Sequence, residues 1–572
     1  MERTQVHEAD VLIIGAGGAG LRAAIAAKEA GARVAVVCKS LLGKAHTVMA
    51  EGGIAASLGN VDARDDWKTH FKDTMFGGKY VNDWRAAELH AKEAAAEVIQ
   101  LERWGALFDR TDDGKILQRR FGGHTYPRLA HVGDRTGLEL IRTLEDTAVS
   151  KKVDVYMEYT ITRLVIDNGR VVGAVGYKRD NGETVAFRAP AVIIATGGAG
   201  KIYTVNSNSW EGTGDGQVLA LRAGAELSDM EFVQFHPTGM VWPLSVRGIL
   251  VTEAVRGEGG LLTNSKGERF MQRYDPERME LSTRDVVARA IFTEVREGRG
   301  SPHGGAFLAI NHKPANFVRQ KLPSMYTQFM AFADVDITKE PMEVFPTTHY
   351  AMGGIRVDAE TCATRIPGLY AAGEAATGLH GANRLGGNSL SDLLVFGRRA
   401  GVSAVAYANA NQAGPLTDEA IAAAEQEMNA PLQRQSGETA FEVLEELGSL
   451  MMEEVGVFRT AESLGRAKER LAALRERARN VRASGTRTYN PGWHAAIQIE
   501  GMVALAQAIA ASALMRTESR GAHTRVDYPK YDDNLQRVNT VSHDDGSGLH
   551  VEFRERAPLP EHLAELIEKV PA

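Results

Sequence analysis

Cysteine is scarce in this chain of 572 residues, which contains only Cys38 and Cys362. A disulfide framework needs more cysteines than these two, and so does a thiolate site for zinc or an iron–sulfur cluster. The sequence therefore excludes such sites within this chain. It favours a reducing compartment.

Runs of one charge sign are also lacking. The chain has 66 lysines and arginines against 73 aspartates and glutamates, a formal net charge of −7. Proteins that bind nucleic acid or an anionic membrane surface carry basic patches or runs, so neither partner is predicted. Any anionic ligand must be held by a few local cations.

Long hydrophobic runs are absent as well. The most apolar helical stretch, Val503–Met515, is interrupted by Gln507. It is about 13 residues long, whereas a membrane span needs roughly 20. Residues 1–10 are polar and lack the order of segments in a signal peptide. We predict no transmembrane segment in this chain, so contact with a membrane would need another subunit.

The remaining composition is that of a soluble globular protein, with 44% hydrophobic and 24% charged residues. The chain is too long for one core, so several structural units are expected. We predict an α/β fold with a discontinuous Rossmann-like domain, an inserted α+β domain, a helical domain and a C-terminal tail. The predicted bounds are 1–247 with 346–412, 248–345, 413–530 and 531–572, respectively.

A glycine-rich turn follows the first predicted strand, Val11–Ile14, and opens the helical pattern Leu21–Ala30. In this position the G-x-G-x-x-G spacing predicts a dinucleotide site, because the glycines let a pyrophosphate approach the helix N-terminus. The spacing does not separate FAD from NAD. A second strand, Arg33–Val37, leads to Cys38-Lys39, where an acid usually holds the ribose. That acid is missing here.

His46 lies in a loop beyond the second strand, close to where a cofactor would pass. Taken alone it is more often a surface or hydrogen-bonding histidine than a functional one. Gly212–Gly216 and Gly373-Glu374 are polar turns beside apolar segments. They could supply backbone contacts and a carboxylate to a cofactor, although such turns are usually only turns.

Uncharged donors, histidines and arginines recur in separate segments further along the chain. Together they provide guanidinium forks and neutral donors, which is what a small dicarboxylate requires. The segments are Phe235–Gly239, Thr252-Glu253, Arg284-Asp285, Thr348–Tyr350 and Asn383-Arg384.

In their order these motifs resemble the flavoprotein subunits of succinate dehydrogenase and fumarate reductase. The resemblance runs from Val11 to about Asp533 and leaves only the tail outside. The motifs that carry it are Gly15–Gly20, His46-Thr47, Phe121–Gly123, Thr213–Gly216, His236–Gly239, Thr252-Glu253, Arg284-Asp285, His349, Glu374, Arg384–Ser389 and Arg516–His523.

The resemblance implies FAD bound covalently to His46. It implies FAD contacts at Gly15, Ala16, Gly17, Gly18, Ala19, Gly20, Lys39, Ser40, His46, Thr47, Gly52, Gly53, Asp215, Glu374, Ser389 and Leu390. It assigns substrate binding to His236, Thr252, His349 and Arg384, and proton transfer to Arg284 with a relay through Glu253 and Arg256. The inserted domain would then cap the substrate.

The implied reaction is oxidation of succinate to fumarate, or its reverse. Glu51 stands where fumarate reductases of the family often have glutamate and where members that oxidise succinate often have glutamine. This single residue is not enough to change the expected direction, which is succinate oxidation. L-aspartate oxidase is an alternative, disfavoured by His46-Thr47, and a flavin scaffold without turnover is a weaker one. The implied partners are membrane anchors that handle quinone and an iron–sulfur subunit, at the cytoplasmic face of the cell membrane.

Overall fold

A computed structural model describes residues 4–546 and 548–568. Residues 1–3 of the predicted first domain, and residues 547 and 569–572 of the predicted tail, lie outside the described residues.

The first core is built around a parallel sheet. In the part of the chain that the structure describes, its five strands follow the order Leu369–Ala371, Ala191–Ile194, Val11–Ile14, Val34–Cys38 and Asp154–Met157. The central strands are buried along their whole length, as expected where both faces are covered. Helices Gly18–Glu29 and Asn388–Ala410 pack against each other beside this sheet. The predicted α/β class is confirmed.

A second sheet lies beside the first, in the order Gln5–Glu8, Thr184–Arg188, Arg170–Lys178 and Tyr159–Asp167. The apolar pattern of residues 155–165 predicts a single hairpin strand, but the structure divides this segment between two sheets. Glu158 has a φ of 62°, a left-handed conformation that an extended strand does not tolerate. The chain therefore leaves the parallel sheet at Met157 and enters the second sheet at Tyr159.

The inserted segment shares an antiparallel sheet with the chain on either side of it. The order is Val233–Met240, Met342–Ala351, Ala306–Ala309 and Leu261–Thr263. Its helices are Ala254–Gly257, Met271–Tyr274, Arg284–Glu294, Ala315–Lys321 and Pro323–Ala333. The two outer segments, Val233–Met240 and Met342–Ala351, pair with each other, so this sheet continues across the predicted boundaries. The division at 247/248 and 345/346 remains a prediction.

Shorter elements surround the loop that carries His46. Strands Ile54–Ala55 and Gln118–Arg119 both pair with Leu129–Ala130. The helices near the first core are Trp67–Gly77, Trp84–Arg103, Thr136–Ser150 and Asp215–Arg222.

The C-terminal region is helical, with helices Asp418–Gln433, Ala440–Glu454, Ala461–Arg479 and Pro491–Met515. Threonine is a favoured N-cap residue, so Thr417 is predicted to begin the first of these helices, and its hydroxyl does accept a hydrogen bond from the Ala420 N–H. Helix Pro491–Met515 has 25 residues and a mean hydropathy of 1.5 over its most apolar 18 residues, enough by length and composition to cross a membrane. The prediction that this stretch is too short is therefore wrong. Because 67% of that window is buried inside the protein, it is a core helix of this region.

The tail is attached to the first core. Strands Val538–Asp544 and Leu549–Glu555 form a hairpin, and the first of them pairs with Leu227–Ser228, which in turn pairs with Gly354–Ile355. A final helix, Glu561–Glu568, follows.

Candidate active site

A deep cavity opens where the carboxyl ends of the parallel strands meet, the usual ligand site of such sheets. Ile14, Cys38, Ala195 and Ala372 line it at or just beyond the ends of four strands. Its volume is about 1650 Å³ including the space open to solvent.

The glycine turn brings the backbone close to this cavity. Gly15 has a φ of 112°, and a Cβ there would lie 2.2 Å from the Ala195 carbonyl oxygen. A Cβ on Gly20 would lie 1.9 Å from the Gly15 carbonyl oxygen. Both positions therefore require glycine. Gly20 does not line the cavity but lets the helix pack onto the strand, whereas Gly15–Ala19 do line it.

The remaining predicted cofactor residues also face the cavity. They are Lys39, Ser40, His46, Thr47, Gly52, Gly53, Asp215, Glu374, Ser389 and Leu390. The Thr47 hydroxyl accepts a hydrogen bond from the Gly18 N–H at 3.3 Å. This contact joins the His46 loop to the first turn of the dinucleotide helix.

The His46 ring is half-buried at the cavity wall. Its Nδ1 accepts a hydrogen bond from the Ser209 N–H at 3.2 Å, and Asn208 Nδ2 lies 3.3 Å from Nε2. Burial, reinforced by the charges of Lys201 and Arg384, lowers the pKa of His46 to about 4. The ring is therefore neutral at physiological pH, and the Ser209 N–H orients it through Nδ1.

Arg284 lies at the N-terminus of helix Arg284–Glu294 and is buried beside Glu253. Its Nε donates to Glu253 Oε2 at 2.8 Å, and Glu253 Oε1 accepts the Gly122 N–H at 2.9 Å. Burial alone would raise the pKa of Glu253, but the charges of Arg284 and Arg256 outweigh it and lower the pKa. The carboxylate therefore stays ionised between two guanidinium groups.

Arg256 is the predicted catalytic residue that does not reach the cavity. Its Nη2 lies 3.5 Å from Glu253 Oε2, and its Nη1 donates to the Glu280 carbonyl oxygen at 2.7 Å. Arg256, Glu253 and Arg284 thus form a continuous row of charged groups that ends at the cavity wall.

Gln234 connects the two guanidinium groups that face the cavity. It was not among the site residues predicted from the sequence. Its Oε1 accepts from Arg284 Nη1 and from Arg384 Nη2, each at 3.2 Å. Arg384 also stacks over the Tyr350 ring at 4.2 Å and donates to the Ser389 hydroxyl. The sequence pattern that points to Gln234 is its position two residues before His236, which places both side chains on the same face of the strand Val233–Met240.

The remaining predicted substrate residues meet at the same place. The rings of His236 and His349 lie 5.1 Å apart, and the Ser207 hydroxyl lies 2.8 Å from His349 Nδ1. Burial, with the charges of nearby arginines, lowers the pKa of both histidines well below the usual value. Thr252 lines the cavity beside them. The neutral histidines and Thr252 can donate to a carboxylate without adding charge.

Buried polar atoms without a partner mark the rest of the cavity wall. Thr196 Oγ1, Asn208 Oδ1 and Ser209 Oγ are buried and make no hydrogen bond within the described residues. Such atoms destabilise a protein unless a ligand or water satisfies them. The glycine cradle, the helix N-terminus and these atoms fit a bound dinucleotide.

The carboxyl group of Glu374, which lies in this cavity wall, should make the stability of the protein depend on pH. Burial raises its pKa from 4.5 to about 7, so the carboxyl destabilises the folded protein increasingly as pH rises through this interval. Glu374→Gln mimics the protonated form. We expect the variant to gain about 3 kcal/mol relative to the unaltered protein between these pH values, with no further change above them. Paired unfolding curves of flavin-free protein, with His46→Ala in both members of the pair, measure this, and a difference independent of pH would contradict it.

Two family models match the chain. The FAD binding domain model matches residues 10–390, and the fumarate reductase flavoprotein C-terminal model matches residues 444–562. The first match confirms FAD as the cofactor that the sequence implied.

Known proteins match over nearly the whole chain. A fumarate reductase (CoM/CoB) subunit of Methanothermobacter marburgensis is 47% identical over 528 residues, which cover 92% of this chain and 96% of that protein. The structure of Mycobacterium smegmatis Sdh1 in complex with UQ1 is 53% identical with a TM-score of 0.88, covering 97% and 95% of the two chains. The quinol fumarate reductase of E. coli is 38% identical with a TM-score of 0.92, covering 97% and 98%. The chain therefore belongs to the succinate dehydrogenase and fumarate reductase flavoprotein subunits.

Proposed function

We propose that this chain is the catalytic subunit that oxidises succinate to fumarate. The observation that carries the proposal is the pair Arg284 and Arg384, joined through Gln234 and facing the same cavity as the glycine cradle. Two guanidinium groups beside neutral histidines suit a ligand with two carboxylates. The bound FAD would accept a hydride from one methylene carbon, while a proton leaves the neighbouring carbon.

We assign the substrate carboxylates to His236, Thr252, His349 and Arg384. Holding both ends of a short dicarboxylate fixes the carbon atoms between them. Such orientation can account for several kcal/mol of barrier reduction. The inserted segment would cover the substrate and exclude water, which strengthens each charge contact.

We assign the proton to Arg284. A guanidinium holds its proton tightly, so Arg284 is a natural acid for fumarate reduction and a poor base for succinate oxidation. The row from Arg284 through Glu253 to Arg256 offers an exit. Arg284 would act as a shuttle that passes the proton to Glu253 and receives it back in the reverse reaction.

We further propose that FAD is bound covalently to His46. The ring lines the cofactor cavity, accepts the Ser209 N–H at Nδ1 and is neutral at physiological pH. His46 would hold the cofactor by replacing a C–H bond of the flavin with a C–N bond; the proton would leave to solvent and the flavin itself would take up the two electrons until an acceptor reoxidises it. This linkage also favours the proposed activity over L-aspartate oxidase.

Electrons must leave the buried flavin, and the two cysteines of this chain do not suffice for a cluster. We propose that they pass to an iron–sulfur subunit, then to quinone at a membrane anchor. The relatives support this assembly, since one is a quinol fumarate reductase and another was solved in complex with UQ1. The chain would then associate peripherally with the cytoplasmic face of the cell membrane.

Fumarate reduction is the second candidate, because Glu51 matches the reducing members and lies in the cavity wall. The two directions are distinguished in the assembled complex by comparing succinate oxidation with a quinone acceptor against fumarate reduction with a quinol donor. We expect succinate oxidation to be faster. A faster fumarate reduction would make the chain part of a fumarate reductase.

A further inference from the structure

The end of the second parallel strand lacks the acid that usually binds the adenosine ribose. Cys38 and Lys39 stand there instead. A carboxylate at this place is useful because it accepts hydrogen bonds from ribose hydroxyls. Another group must take over that task in this chain.

Asp215 is the acid that the motif order offers, but both of its oxygens are already used. Its Oδ1 accepts from the Thr213 hydroxyl at 2.7 Å, and its Oδ2 accepts from Lys39 Nζ at 2.8 Å and from Gln498 Nε2 at 3.3 Å. A ribose hydroxyl binding here would share the Asp215 oxygens with an ion pair and two hydrogen bonds that are already formed. Asp215 therefore positions Lys39 more readily than it binds a hydroxyl.

The carboxylate of Glu211, unlike that of Asp215, has no hydrogen-bond partner among the described residues. It lines the same cavity, and both of its carboxylate oxygens are buried without a hydrogen-bond partner in the described residues. Leaving a charged acceptor buried and unpaired is costly, so a ligand with two donors would relieve two unmet bonds together. Cys38, at the end of the second strand, lines the same cavity as Glu211, and burial together with the Glu211 charge raises the pKa of its thiol.

The backbone around Glu211 is fixed by a tight turn. The Glu211 carbonyl accepts from the Thr213 N–H at 2.8 Å, and the Gly212 N–H donates to the Ser209 carbonyl at 3.1 Å. The nearby Lys39 is occupied by Thr213 and Asp215. The side chain of Glu211 is thus held at the cavity with no cation of its own hydrogen-bonded to it in this part of the structure.

We propose that Glu211 binds the ribose hydroxyls of the adenosine half of FAD and so replaces the acid missing at Cys38. The two vicinal hydroxyls match its two free oxygens in number and in donor character. Glu211 is a positioning residue, and its contribution is to affinity for the cofactor. The inference goes beyond the proposed function, since it concerns the adenosine end and not the substrate.

Reversible FAD binding tests the proposal, and it is measured in the full-length His46→Ala variant because a covalent bond would hide affinity. FAD and an analogue lacking the 2′ and 3′ hydroxyls of the adenosine ribose are titrated into flavin-free protein, and quenching of flavin fluorescence reports binding. With Glu211 present, the analogue should bind about tenfold to a hundredfold more weakly than FAD. In the Glu211→Gln background this difference should shrink to about twofold or less, because the paired acceptors are gone.

Glu158→Gln is the matched control. Glu158 is exposed, also lies near Cys38 and does not line the cavity, so its removal should leave both affinities unchanged. The proposal would be overturned if the analogue bound more weakly than FAD by the same factor with Glu211 present and with Glu211→Gln. It would also be overturned if only Glu158→Gln removed the difference between FAD and the analogue. No substrate is present, so the result is independent of succinate turnover. If His46 proves not to be linked to FAD, the same titrations run in the unaltered chain.

Discussion

Arg284→Ala is expected to lower turnover about 10²–10⁴-fold, the range typical for loss of a group that transfers a proton in the transition state. FAD should remain bound, because Arg284 is hydrogen-bonded to Glu253 and Gln234 and not to the glycine cradle. A dicarboxylate that cannot be desaturated, such as malonate, should still bind through Arg384 and the histidines. Steady-state rates and a malonate titration of the flavin spectrum measure the two effects separately.

Removing Arg284 also leaves Glu253 buried with a weaker partner, which could destabilise the fold. Arg284→Lys keeps a cation beside Glu253 but lacks the planar fork, so it should fold normally and still lose turnover. Arg296→Ala, an exposed arginine beyond the end of the same helix, is the matched control and should leave the rate unchanged. Near-normal turnover in both Arg284 variants would remove this residue from the mechanism.

His46→Ala is expected to change flavin attachment completely. In the unaltered protein the flavin should stay with the polypeptide after acid denaturation, because a covalent bond does not depend on folding. In the variant all of the flavin should be released, because hydrogen bonds and packing are lost with the fold. Flavin fluorescence of the denatured chain on a gel measures this directly.

The neighbouring histidine of the same cavity provides the control. The ring centroid of His349 lies 6.5 Å from that of His46, yet His349→Ala should retain the flavin through denaturation. Loss of attachment in both variants would point to a fold defect. Loss in the His349 variant alone would show that the linkage had been assigned to the wrong residue.

The sequence predicted the features that depend on neighbouring residues. The strand Val11–Ile14, its glycines and the following helix are local, and steric limits on Gly15 and Gly20 explain the spacing directly. The Thr417 N-cap is equally local. The roles proposed for Arg284, Glu253 and Arg384 came only from the family's motif order, because no local rule connects residues on separate segments.

What the sequence missed depends on contacts between distant segments. Gln234 pairs with Tyr350 across two strands, and Tyr350 carries Arg384 on its ring. The register that brings them together is set by tertiary packing and not by either segment alone. The length of the apolar helix Pro491–Met515 was underestimated for a similar reason. Its polar positions are tolerated because the helix is buried against partners that lie elsewhere in the chain.

Reduction of the bound flavin by succinate tests the central claim most directly. Succinate mixed with the oxidised protein in the absence of oxygen should bleach the yellow flavin absorbance, and excess fumarate added to the reduced protein should restore it. L-aspartate should do neither. Bleaching by L-aspartate but not by succinate, or no response to any dicarboxylate, would contradict the proposed function.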